Sequence, residues 1–290
     1  SFFDFIHRRA MLDGNLKPWY NRRMHVTIRR LPLKKLFNTR DLGGIPAENG
    51  KKIKHGKLIR SGKLYKIPQS TIDALKKMGV STVIDLRIFT ECEEYPDTLL
   101  DGVKYVHLPV LCTATPGITR DKSMQQTMVS ESKRIKNEFG TADNYMAAMY
   151  KAVLLNEEPQ KLLKQTLRLI IENEDCILWH CSGGKDRAGI VAMLVESLLG
   201  VSEHVIIQDY VASHRFQKAR FFWNRAGLVI APVSLRLKKI LYGMMAAKPR
   251  YMLEAMNAVK EKYGSITEYC KQVLEVTDED IELMKKKYLE

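Results

Sequence analysis

Cys176-Ile-Leu-Trp-His180-Cys181-Ser182-Gly183-Gly184-Lys185-Asp186-Arg187-Ala188-Gly189 carries most of the information in this 290-residue chain. Its first five residues are apolar enough to form a short buried strand ending at His180. A polar turn with two glycines follows. An apolar helix then starts near Arg187 or Ala188 and runs towards Leu199. A helix N-terminus presents unpaired N–H groups and partial positive charge, so the turn before it is a cradle for an anion. Gly183 and Gly184 allow a bend that aims successive amides inward.

Cys181 opens that cradle. Inward amides, a helix end and two nearby cations favour a thiolate there. Arg187 lies six positions on, where a curling loop returns its planar fork to the same centre and can hold two phosphoryl oxygens. Lys185 adds a compact point charge. The pattern suits in-line attack of sulfur on a phosphate ester, giving a phosphocysteine that water then hydrolyses. That chemistry needs no metal and no cofactor, and no metal-ligand spacing is visible. Cys and Arg with five residues between them recur by chance, so the spacing alone is weak evidence. The preceding histidine, the glycines, the strand before and the helix after make it coherent. His180 is expected to fix the cysteine loop rather than act as a base, and Cys176 to be a small core residue.

Working outward, Gly56–Gly62, Ser81–Leu86 and Lys104–Val110 read as further short strands. Ser70–Met78 reads as a helix with Ser70 as N-cap and Gly79 as its stop. Ala142–Leu155 and Gln160–Glu172 read as amphipathic helices, the second begun near Pro159. From Ala188 onward the pattern is helical, with breaks near Gly200, Gly227–Pro232, Lys248–Pro249 and Gly264. The polar stretch Cys112–Gly140 has no clean period and reads as a loop over a site. Alternating strands and helices followed by helices predict an α/β class: a central, mostly parallel sheet flanked by helices, with a helical C-terminal part.

Composition sets the outer bounds. The chain is 45% hydrophobic and 28% charged, an ordinary globular balance. The longest apolar run, near Gly189–Gly200, is broken by Glu196 and is too short to span a bilayer. Five cysteines without a CxxC suggest a reducing compartment rather than a disulfide framework. Ser1–Ala10 places an apolar cluster before Arg8 and Arg9, the reverse of a secretory leader. A cytoplasmic setting is therefore expected, with export open if Ser1 is not the native start. The formal net charge is +14, and residues 1–66 supply 17 Lys/Arg against 4 Asp/Glu. Such asymmetry attracts anions. No nucleic-acid motif accompanies it, so no nucleic acid is expected.

The cysteine loop resembles the protein tyrosine phosphatase superfamily. It is most similar to the bacterial tyrosine- and lipid-phosphatase group with the loop His-Cys-x-x-Gly-Lys-Asp-Arg-x-Gly. Asn38-Thr39-Arg40-Asp41-Leu42-Gly43-Gly44, Ile59–Leu64 and Val83–Arg87 resemble that group's N-terminal blocks. Asp209-Tyr210 with Ser213, and Tyr251–Met256 with Tyr263-Gly264-Ser265, resemble its C-terminal blocks. The resemblance implies a cysteine phosphatase fold over residues 31–290 as one domain, with 1–30 as a basic N-terminal extension. It implies Cys181 as nucleophile, Arg187 as the phosphate-binding arginine, and Ser182, Gly183, Gly184, Lys185 and Asp186 as the rest of the phosphate loop.

Asp186 becomes a candidate general acid. Asp121, on the polar stretch, is the alternative. Arg40 and Asp41 are possible substrate contacts, although Asp41 also suits tying down the Gly43-Gly44 turn. Asp85 and Arg87 are expected to buttress their strand end. The substrate implied is a phosphate monoester, foremost phosphotyrosine on a protein. A phosphoinositide is the alternative, with contact to an anionic membrane surface. A phosphate-binding module with little turnover is the competing non-enzymatic reading. Most relatives carry Ser or Thr after the arginine, where the hydroxyl eases departure of the thiolate. Here that residue is Ala188, and Ser182 or Ser213 would have to substitute. Neither the oligomeric state nor pairing of Cys92 or Cys112 with Cys181 is legible.

Overall fold

The computed structural model describes residues 26–110, 135–217 and 234–290. Five strands form its sheet: β1 (Arg40–Asp41), β2 (Leu58–Ser61), β3 (Val80–Asp85), β4 (Lys104–His107) and β5 (Cys176–His180). Their order is β1-β2-β5-β3-β4, with β1 antiparallel to β2 and the other pairs parallel. β5 is central and every residue of it is buried. Parallel strands covered on both faces read as apolar runs, which is why Cys176–His180 shows no alternation. The pleat still divides its side chains. Leu178 packs with Ile59, Val83 and Leu75 on one face, while Ile177 and Trp179 join Leu58 and Ile84 in the larger core on the other.

The helices are α1 (Gln69–Lys77), α2 (Phe89–Glu94), α3 (Ala142–Leu155), α4 (Glu157–Glu172) and α5 (Arg187–Leu198). They continue as α6 (Glu203–Phe216), α7 (Leu235–Met245), α8 (Pro249–Tyr263), α9 (Ile266–Gln272) and α10 (Asp278–Tyr288). α5 is buried almost all round, as a helix apolar on every face must be. Among the described residues, no helix is long and apolar enough to cross a membrane.

Several local readings shift. α1 starts at Gln69 after Pro68, so Ser70 lies inside its first turn and is not the N-cap. α4 begins at Glu157, with Pro159 in the first turn, where its missing N–H costs nothing. β1 and α2 are too short to leave a periodic signal. The breaks at Gly200 and Gly264 fall where both glycines take positive φ, +74° and +86°. Within the polar stretch, Ile135–Phe139 makes a single π-type turn. The expected loop around Asp121 and Cys112, the break at Gly227–Pro232 and most of the basic extension lie outside the described residues.

The register sets the site. Ser61 and Asp85, at the ends of β2 and β3, both pair with His180 at the end of β5. Three neighbouring strands therefore stop at one level, and the loop that follows β5 fills the crevice at their C-terminal edge, where ligands of open parallel sheets bind.

Candidate active site

Cys181 follows β5 directly and is 2% exposed. The loop then turns through Gly184 at φ +63°. A Cβ at Gly184 would lie 2.6 Å from the carbonyl carbon and oxygen of Ser61, so the loop can seat on β2 only with glycine there. Gly183 is not so constrained: its nearest neighbour would be Gln217 Oε1 at 3.9 Å. One of the two glycines therefore makes the bend. Helix α5 begins at Arg187, and the Trp179 indole donates to the Ala188 carbonyl at 3.1 Å, fastening strand to helix beneath the loop.

The Arg187 side chain is 13% exposed. Its guanidinium meets the Glu91 carboxylate twice, Nη1 to Oε2 at 2.6 Å and Nη2 to Oε1 at 2.8 Å, and also reaches the Leu86 carbonyl at 3.3 Å. Burial alone would raise the Glu91 carboxyl. The Arg187 hydrogen bonds and charge, the Ser182 hydroxyl and the Ile88 amide outweigh burial and hold it at about 2. Burial likewise works against the Arg187 charge, but Glu91, the Cys181 sulfur and Asp186 together place it above its ordinary value. Cys181 and Arg187 therefore share one electrostatic environment.

The Asp186 carboxylate accepts from the Tyr150 hydroxyl at 2.5 Å and lies 3.3 Å from the Lys185 ammonium. Tyr150 in turn bonds the Tyr210 hydroxyl at 2.8 Å, and both phenols are buried, which pushes them well above the ordinary tyrosine value. Lys185 points towards α7. Its ammonium donates to the Met244 carbonyl at 2.6 Å and the Ala246 carbonyl at 3.0 Å, at the end of α7. Those carbonyls carry the negative end of the helix, so the ammonium fastens the loop to α7.

Arg40, a possible substrate contact by sequence, is turned into the interior. It is fully buried, donating to Asp209 Oδ1 at 2.6 Å, to the Asp209 carbonyl at 2.9 Å and to the Ser213 hydroxyl at 3.1 Å. Asp41 is buried too. It accepts from the Gly43 and Gly56 amides, each at 2.9 Å, and so ties down the Gly43-Gly44 turn. Arg87 pairs with Asp85 at 2.6 Å and Asp97 at 2.8 Å, and His180 Nε2 stands 2.9 Å from Asp97 Oδ2. Among the described residues this is the only His/Asp group spaced for a metal, and the Arg87 cation already sits between its carboxylates.

A cysteine–arginine loop at the C-terminal edge of a mostly parallel sheet, running into a buried helix, defines the cysteine phosphatase class. The comparisons agree. The sequence model of the tyrosine phosphatase family matches residues 31–290, and the chain belongs to that family. It is 26% identical over 249 residues to a Cupriavidus necator protein provisionally named a tyrosine-protein phosphatase, covering 83% of this chain and 82% of the relative. It is 25% identical over 266 residues to the triple specificity protein phosphatase PtpB of Mycobacterium tuberculosis, covering 84% and 93%. A tyrosine-protein phosphatase of Nostoc commune is 28% identical over 159 residues, covering 54% and 48%. The protein is thus a phosphoric monoester hydrolase of the tyrosine-phosphatase type, acting on phosphorylated substrates.

Sequence reasoning missed Glu91 and Tyr150. Each is far from the loop in the chain, 96 residues from Arg187 and 36 from Asp186. The one available signal was the acidic run Glu91, Glu93 and Glu94 straight after Arg87.

Proposed function

We propose that the chain hydrolyses phosphotyrosine through a phosphocysteine on Cys181. The Cys181 sulfur attacks phosphorus in line with the ester oxygen. An S–P bond forms as the P–O bond breaks, and Asp186 gives its proton to the departing phenolate. The loop amides from Ser182 to Arg187 and the Arg187 guanidinium receive the charge on the equatorial oxygens. Water then attacks phosphorus, returns a proton to Asp186, and releases phosphate and the thiolate.

The observation that carries this reading is the pairing of Glu91 with Arg187. It turns a flexible arginine into a preset fork beside a nearly buried sulfur. Preorganisation of this kind is what phosphoryl transfer requires. The relative named triple specificity is the reason to include lipid and serine esters in the test.

The test is a panel of phosphotyrosine peptides, phosphoserine peptides and phosphoinositides, run with wild type and Cys181→Ser. The expected result is fastest release from phosphotyrosine and none with Cys181→Ser. Activity retained by Cys181→Ser sinks the mechanism. Faster release from inositol lipids transfers the proposal to that substrate.

A further inference from the structure

Three carbonyls of the loop are held from behind. Asn38 Nδ2 donates to Gly183 O at 3.0 Å and Gly184 O at 2.8 Å. Arg60 Nη2 donates to Gly184 O at 3.0 Å and Lys185 O at 3.1 Å. No described residue has a cis peptide. In a trans peptide the carbonyl and the next amide point in opposite directions. Fixing the carbonyls of Gly183, Gly184 and Lys185 therefore aims the amides of Gly184, Lys185 and Asp186 away from Asn38 and Arg60.

The holders are themselves held. Asn38 Oδ1 accepts from Arg40 Nη1 at 2.6 Å, a partner that can only donate. The amide is thereby oriented, with both hydrogens left for the loop. Arg40 and Arg60 share the Asp209 carboxylate, Arg60 through a short Nη1–Oδ2 contact. Asn38, Arg40, Arg60 and Asp209 are each no more than 1% exposed, so these bonds form without competing water.

We propose that Asn38 is a positioning residue of the reaction. Oriented by Arg40 and Asp209, it works with Arg60 to turn the loop amides towards the bound phosphoryl group. This rests on the reading of the loop as a phosphate cradle. Nothing in the chain arrangement requires Asn38 to touch substrate, and its effect passes through main chain alone.

Asn38 sits at φ +57°, a conformation that Gly and Asp also adopt. Asn38→Gly therefore keeps the backbone and removes the amide. Asn38→Asp keeps the shape but has no hydrogens to give, and sets a carboxylate against two carbonyls. Two readouts apply to the full chain. The first is inorganic phosphate protecting Cys181 from iodoacetamide, which needs no turnover. The second is KM and kcat on p-nitrophenyl phosphate. Melting temperature is followed in parallel.

Protection should need about tenfold more phosphate in Asn38→Gly, the equivalent of one charge-assisted hydrogen bond, and more again in Asn38→Asp. kcat should fall in the same order while cooperative melting is kept. Folded variants with wild-type protection and kinetics overturn the proposal. Variants that do not fold at all overturn it too, since the residue would then be purely structural. If phosphate fails to protect wild type, the cradle reading itself falls, and that outcome is distinct from equal protection of wild type and variant.

Discussion

Arg187 and Glu91 form a two-pronged ion pair across 96 residues of chain, with both contacts under 3 Å and the Ser182 hydroxyl on the same carboxylate. The consequence is entropic. An arginine loses much rotamer freedom when it grips an anion, and here that loss is taken in folding, before substrate arrives.

Glu91→Gln should accordingly lower kcat/KM by about 10–100-fold while leaving Cys181 reactive to alkylation. The pH dependence has a definite sign. Glu91 titrates at about 2 in the fold, against about 4.3 unfolded, so its stabilising contribution is complete above the unfolded value and is lost as pH falls through about 2. Melting curves of wild type and Glu91→Gln should differ by a constant amount above pH 5 and converge towards pH 2. A gap that widens as pH falls contradicts the pairing.

Asp186 as general acid makes a prediction about leaving groups. p-Nitrophenolate leaves without a proton, whereas plain phenolate benefits from one. Asp186→Asn should cost little on p-nitrophenyl phosphate and about 100-fold or more on phenyl phosphate. Tyr150→Phe removes the hydroxyl bound to Asp186 Oδ1 and should show the same bias to a smaller degree. Equal losses on both esters in Asp186→Asn would move the acid elsewhere, with Asp121 next in line.

In the proposed mechanism, Ala188 predicts a slow second step. Neither serine that could supply the missing hydroxyl is placed to do so: Ser182 donates to Glu91, and Ser213 accepts from Arg40 in the buried cluster. Stopped-flow mixing with p-nitrophenyl phosphate should therefore give a burst of nitrophenolate close to one equivalent per enzyme, followed by slower turnover. Ala188→Ser should speed the slow phase and leave the burst rate unchanged. A linear time course from the first milliseconds shows that phosphocysteine breakdown is not limiting.

What could be read in advance follows from where the information lies. β5, the loop and α5 are contiguous, so strand, glycine bend and apolar helix all registered in one stretch of sequence. Ala142–Leu155 was legible from its amphipathic period, and the structure adds an N-cap there, the Thr141 hydroxyl taking the Asn144 amide. Long side chains were not legible. Lys185 has the reach to face an anion or a helix end, and its backbone position does not choose between them. Arg40 looked available because charge usually means surface, whereas Asp209, 169 residues away, supplies the counter-charge that offsets its burial. Glu91 and Tyr150 needed the tertiary fold, since nothing local marks an acid or a phenol as the partner of a distant loop.

Glu196 offers a stability test that is independent of catalysis. It lies on the buried face of α5 near Arg40, Arg60 and Asp209, and neither carboxylate oxygen has a hydrogen-bond partner among the described residues. Burial and the Asp209 charge push its carboxyl well above the ordinary value, against the weaker pull of Arg60 and Arg40. The native state then keeps a proton that the unfolded chain releases above about pH 4.3, so this residue costs stability increasingly as pH rises from there. Glu196→Gln removes the titration. Its melting temperature should match wild type near pH 4 and exceed it increasingly towards pH 8. A variant that instead melts progressively below wild type as pH rises would mean that Glu196 is ionised and serves as a second counter-ion for the two arginines.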